Sequence, residues 1–355
     1  MKDKEKKPGN LGEVGGEALM EGIMMRGPKG AAVALRLPDG SIETQIKQSS
    51  LPKDRCKLLG WPLIRGPVNL VYSMVFGYKC LMESAEKMTE GLLEDAEEAT
   101  SKLDKWLEDH MGPKMTAVIG FVGIALGLVL AVGLFMLVPQ FFTGLIDRLT
   151  GNADITRYKA VIAGGFRVII FVGYMFVMTL IKDIRRVFQY HGAEHKTIFC
   201  YEAGLELTVE NVRAQSRLHP RCGTSFLFLM ILLSIFLSSA VYAIWPVLAG
   251  GIFVRFGVGL LQLPVLMAVG YEFIRFAGRH LRNPIVRAVS FPGLCMQRIT
   301  TKEPDDSMIE IGIAALNAAV GNKNEEPKAL IEGTDTIAGD DDTPGDDEGA
   351  APAEG

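Results

Sequence analysis

Two stretches of this chain run for 24 residues without a charge: 115–138, MTAVIGFVGIALGLVLAVGLFMLV, and 226–249, FLFLMILLSIFLSSAVYAIWPVLA. A helix of roughly 20 apolar residues crosses a hydrocarbon core of about 30 Å, and lipid offers its backbone no outside hydrogen-bond partner. Both stretches exceed that length. Two further segments carry one charge each, 160–181 with Arg167 and 252–271 with Arg255. The pattern predicts a mainly α, polytopic membrane protein with about four transmembrane helices. A chain of 355 residues could form two soluble domains, but its apolar residues are concentrated in these segments.

Lysine and arginine in the short loops set the expected orientation. Residues 182–224 carry seven, at Lys182, Arg185, Arg186, Lys196, Arg213, Arg217 and Arg221, and residues 272–302 carry six. The loop 139–159 has three and the link near 246–254 none. Both termini and the central loop are therefore expected on the cytoplasmic side. Arg255 would snorkel to the outer interface, whereas Arg167 would snorkel or pair within the bundle. The first 20 residues lack an apolar core, so a cleavable signal peptide is not expected. The five cysteines fall on the inferred cytoplasmic side or its boundary, where thiols stay reduced and Cys222 is free to bind a metal.

The formal charge of −4 hides an asymmetry. Residues 321–355 hold eleven acidic and two basic residues, which leaves the rest at +5. The tail is too poor in large apolar residues to pack and is expected to be disordered. The mildly basic body suits an anionic membrane surface and makes no case for nucleic acid. The expected partners are the lipid bilayer and, for assembly, further copies of the chain.

Five regions follow. Residues 1–60 form a cytoplasmic N-terminal segment with a small β-hairpin unit, in which Val33, Leu35 and Leu37 alternate before Pro38-Asp39-Gly40, and Ile42, Thr44 and Ile46 follow. Residues 61–110 hold an interfacial helix, interrupted by Pro62, Gly66 and Pro67, and then a charged, solvated helix in which His110 is an ordinary surface residue. Residues 111–274 form the membrane domain. Residues 275–320 form a C-terminal helical segment, expected to break at Asn283-Pro284 and at Phe291-Pro292-Gly293. Residues 321–355 are the acidic tail.

The loop between the second and third spans carries the chemistry. It contains His191-Gly192-Ala193-Glu194-His195 and, further on, His219-Pro220-Arg221-Cys222. If the second span continues as helix through this loop, at about 100° per residue His191, His195 and Glu202 fall within about 40° of one another, with Glu194 on their flank. Histidines at i and i+4 match the spacing that grips zinc, and the H-x-x-E-H order is the inverted zincin signature, with the glutamate as general base. A divalent metal, zinc by donor type, is the expected cofactor, with His191 and His195 as first ligands. Glu202, His219, Cys222 and Glu272 are candidates to complete the set. Two more nitrogen and sulfur donors, from His219 and Cys222, would close the shell and make the metal structural. A carboxylate third ligand would leave it open for catalysis. Glu17, Glu21 and Arg26 could fold back onto the loop, and Arg217 and Arg221 could hold a carboxylate or phosphate. Cys222 beside His219 is a weaker candidate nucleophile, and Cys200 and Cys295 read as packing residues.

Four segments, GGEALMEGIMMRG (15–27), HGAEHK (191–196), HPRCGTSF (219–226) and PGLCMQRITTKEPDD (292–306), resemble the signature segments of the YqhQ-like bacterial membrane proteins, domain of unknown function 1385. The resemblance spans nearly all of residues 12–320 and omits the acidic tail. It implies a bacterial multi-pass membrane protein labelled only a predicted metal-dependent enzyme, with no substrate or reaction attached. It also speaks against a role for Cys295, where family members often carry a large aromatic residue. The leading expectation is a metal-dependent hydrolase with its site at the cytoplasmic face of the cell membrane, Glu194 serving as base. The alternative is a non-enzymatic scaffold or assembly factor with a structural metal. A transporter ranks third, because the spans offer few polar groups for a pathway.

Overall fold

The computed structural model describes residues 14–47, 57–61, 63–95, 113–150, 155–280 and 283–321. The expectations for residues 1–10, for His110 and for the acidic tail beyond Gly321 lie outside the described residues.

The N-terminal unit is larger than one hairpin. Four strands, β1 (Gly15–Leu19), β2 (Gly22–Gly27), β3 (Gly30–Arg36) and β4 (Ile42–Lys47), form an antiparallel meander in chain order. The expected hairpin is its second half, pairing Val33 with Gln45 and Leu35 with Glu43. Its turn places Gly40 at φ +84°, a conformation that costs glycine nothing. The first half escapes an alternation test because β2 is covered on both faces. Ile23 and Met25 join one core with Ala32 and Ala34, while Met24 faces the other with Leu19 and Val33.

Two groups of helices cover these faces. On one side lie α1 (Arg65–Asp95) and the cluster of Leu19, Met24, Val33, Leu35 and Cys80. The interfacial and solvated helices expected separately are thus one continuous helix as far as Asp95. On the other side pack α5 (Lys182–Glu202) and α10 (Asp306–Val320). Asp305 N-caps α10 by accepting from the Met308 amide at 3.0 Å, and Met308, Ile309, Ile311 and Leu316 are fully buried.

Among the described residues, four helical segments are long and apolar enough to cross a membrane: Phe121–Ile146, Tyr158–Met178, Gly223–Ile244 and Ile252–Ala277. The first spans α2 (Pro113–Val132), a π-helical turn at Gly133–Leu137 and α3 (Val138–Thr150). The others lie in α4 (Ile155–Met178), α7 (Gly223–Ile244) and α8 (Ile252–Arg279). The π turn has an identifiable partner. Arg167 on α4 donates from Nε to the Phe135 carbonyl at 3.0 Å and from Nη1 to Ser234 Oγ on α7 at 3.3 Å. Arg167 therefore pairs within the bundle.

Two further expectations change. The second span does not run on into the histidine loop: α4 ends at Met178, Thr179–Ile181 turn, and α5 starts afresh at Lys182. Phe291-Pro292-Gly293 does not break α9 (Pro284–Thr300) either. Asn283 accepts from the Ile285 amide at 2.9 Å and starts that helix, with Pro284 in the first turn where its missing N–H is harmless. Pro292 sits mid-helix, where contacts with α7, including Gln297 Nε2 donating to Ser225 Oγ at 2.6 Å, hold the helix across the lost bond.

Candidate metal centre

Helix α5 carries His191, Glu194 and His195 on one side, where Tyr190, Gly192 to Ile198 and Cys200 are buried and His191 and Phe199 are partly buried. One turn apart on the same face, the two imidazoles stand with ring centroids 4.4 Å apart. Cys222 reaches them from the start of α7. As N-cap of that helix its Sγ accepts from the Thr224 amide at 3.4 Å, and it lies 3.2 Å from His191 Nε2. The donor atoms of His191, His195 and Cys222 all fall within 4.8 Å of one another. At zinc bond lengths, tetrahedral donors stand about 3.5 Å apart, so the set needs only a small contraction to match.

Backbone carbonyls fix which nitrogen faces this point. His191 Nδ1 lies 2.9 Å from the Thr300 carbonyl oxygen, and His195 Nδ1 lies 2.5 Å from that of Arg217. A carbonyl can only accept, so each Nδ1 carries its hydrogen and donates it, leaving Nε2 as the donor atom for a cation. Both carbonyls belong to other segments of chain. Lys302 N–H donates to the Phe188 carbonyl of α5 at 2.8 Å, which holds residues 300–302 against the helix. Gly192 makes that approach possible, because a Cβ there would stand 2.0 Å from the Lys302 carbonyl oxygen.

Electrostatics follow from burial. Burial pushes the Cys222 thiol up, but the charges of His191 and His195 outweigh it and hold the thiol well below its ordinary range. Burial lowers His191, yet Cys222, Glu194 and the Thr300 carbonyl win, raising it to about 9. The two shifts run toward a thiolate beside an imidazolium. Burial raises Glu194 above the usual carboxylate range, partly offset by the two imidazoles and by the Gly16 amide of β1, which donates to it. Burial also raises Glu17, and Glu194 adds to the shift against the pull of Arg26 and His191.

The other candidates lie near this triad or are committed elsewhere. His219 is buried with its ring centroid 5.5 Å from that of His195, but its Nε2 points to Glu202 at 3.6 Å, and its ring packs on Phe199. Glu202 pairs with His219 and Arg221, and those contacts overcome burial to keep its pKa low. Glu272 is bound by Arg65 Nε and Nη2 at 2.7 and 2.6 Å. Glu21 pairs with Arg186 and accepts from the Tyr190 hydroxyl at 3.1 Å. Arg26 lies over the Phe76 ring at 4.9 Å and donates to Ser73 at 2.8 Å. Arg217 contacts Thr301 and Glu303. Sequence reasoning missed Thr300, Thr224 and Gln297. The Gln297 side chain clamps the His219 backbone, accepting from its N–H at 2.7 Å and donating to its carbonyl at 2.6 Å. Their only advance signal was membership of the segments 219–226 and 292–306.

The fold and site together define a mainly helical protein with, among the described residues, four helical segments apolar enough to span a membrane, a small β-sheet, and a largely buried His/His/Cys cluster where the two parts meet. The chain belongs to the family described as "Protein of unknown function (DUF1385)", whose model matches residues 61–322. It is 32% identical over 320 residues to "Uncharacterized protein YqhQ" of Bacillus subtilis (strain 168), covering 88% of this chain and 95% of that protein. No solved structure matches it.

Proposed function

We propose that this is an integral membrane protein acting as a metal-dependent enzyme of hydrolase type, with zinc held by His191, His195 and Cys222. The observation that carries this reading is the meeting of three donor atoms within 4.8 Å, with both Nδ1 atoms already bonded to carbonyls. Three protein donors leave one position open, the pattern of catalytic zinc sites, and His219, which would close the shell, pairs with Glu202. A bound divalent ion would supply Lewis acidity toward a carbonyl or phosphoryl oxygen. Glu194 is the proposed general base. Its carboxylate feels both imidazoles, and its raised pKa brings it nearer the pH at which a base works best. Gly16 orients that carboxylate through its amide. The Lys and Arg count of the loops supports a site on the cytoplasmic side of the bacterial inner membrane. A site at that surface would meet a lipid headgroup or an interfacial peptide as substrate.

Metal analysis of the purified protein tests this. About one zinc per chain is expected, lost in His191→Ala and in Cys222→Ala. Glu194→Gln should keep the metal and the fold but fail to complement a deletion strain. Protein that carries no metal in any preparation would refute the proposal. The alternative, a scaffold with a structural metal, draws on the way the cluster ties α5, α7 and residues 300–302 together. It expects Glu194→Gln to complement fully.

A further inference from the structure

Where α1 meets the end of α8, Arg65, Glu272, Arg275, Phe276 and His280 line an open groove of about 330 Å³. The charges around it are unevenly used. Glu272 is fully engaged, accepting both donors of Arg65 and the Leu63 amide, so it pins the start of α1 to α8. Arg275 is exposed and has no hydrogen-bond partner among the described residues. His280 stacks on Phe276 with centroids 4.2 Å apart and bonds the Phe276 carbonyl through Nδ1 at 2.9 Å, leaving Nε2 without a hydrogen-bond partner among the described residues. Two guanidiniums against one carboxylate give the groove a positive excess.

The surface beside it is apolar. Val71, Met74, Val75, Tyr78 and Met82 form an exposed row on α1 at helical spacing, and Trp61, Leu63 and Ile64 extend it past the helix start. The opposite face of α1 is occupied: Asn69 bonds the Tyr271 hydroxyl of α8 at 3.1 Å, Ser73 accepts from Arg26, and Cys80 is buried under the sheet. At its start, Arg65 lines the same groove as exposed Phe276 of α8, one of the helices long enough to span a membrane. An apolar helix face that joins a span's lipid-facing surface, with cations at the junction, has the chemistry of a bilayer boundary.

We infer that this junction binds an anionic phospholipid, its phosphate held by Arg275, Arg65 and His280 and its acyl chains lying along α1. The inference rests on the membrane reading and is independent of any metal.

The test uses the full chain in detergent, offered equal amounts of phosphatidylglycerol and phosphatidylcholine, with retained lipid counted by native mass spectrometry. Phosphatidylglycerol should be retained preferentially. Arg275→Gln should lower that retention roughly tenfold, as expected for one charge-assisted hydrogen bond lost, and His280→Gln should lower it less. Both positions are exposed, and circular dichroism should show unchanged folding. Equal retention of the two lipids, or undiminished phosphatidylglycerol in both variants, would overturn the proposal. Displacement of the lipid by millimolar inorganic phosphate would overturn it too, by marking a site for the free anion.

Discussion

At the scale of single residues the centre is governed by one thiol and two imidazoles that change each other's charge. His191 is raised from 6.5 to about 9, so the stability its protonated form contributes is complete below pH 6.5 and is lost as pH rises through about 9. Cys222 is lowered, so its thiolate contributes fully above the ordinary thiol pKa and loses that contribution as pH falls through its depressed value. Between the two folded pKa values both charges are present. In metal-free protein, thiolate ultraviolet absorbance, measured as the difference from Cys222→Ser, should therefore persist at neutral pH. An ordinary thiol of pKa about 8.5 would be almost wholly protonated there. Absorbance that develops only above that value would show that the pair does not form. Glu194 shares the sign of His191 and opposes Cys222, since an acid with a raised pKa makes the fold lose stability as pH climbs from 4.5.

At the scale of elements, the sequence H-G-A-E-H does two jobs, and only one was legible. The i, i+4 histidines announce a shared face. By propensity alone the glycine between them only weakens a helix slightly, but it lets residues 300–302 approach α5 closely enough to bond His191. Gly192→Ala should thus push that segment away at a cost of about 1–3 kcal/mol, the usual range for overpacking. Lower metal occupancy should accompany a lower thermal midpoint. A variant with unchanged midpoint and full occupancy would show that the approach is not needed. Strand β2 gives the same lesson. Buried on both faces, GIMMRG lacks the alternation that marked β3 and β4, and it could be recognised only once α1 and α5 were seen on either side.

At the scale of the whole molecule, orientation is the expectation with most riding on it. A membrane-impermeant maleimide on single-cysteine variants checks it. Leu149→Cys, exposed at the end of α3, should be labelled in intact cells, whereas Leu205→Cys, beyond α5, should be labelled only after permeabilisation. The reverse pattern would move the His/His/Cys cluster to the outer face and remove the case for a cytoplasmic substrate. The four spans were evident from composition alone, because the cost of leaving backbone groups unbonded in lipid is met or not met within each segment. The types and neighbourhood of the candidate metal donors were equally local, readable as two short histidine-bearing motifs. Which of them meet was not. Cys222 joins His191 and His195, and His219 turns to Glu202, because α7 starts where α9 and residues 300–302 hold it against α5. Those contacts link positions about 80 to 110 residues apart. No periodicity within a segment encodes them, and only the packed structure decides them.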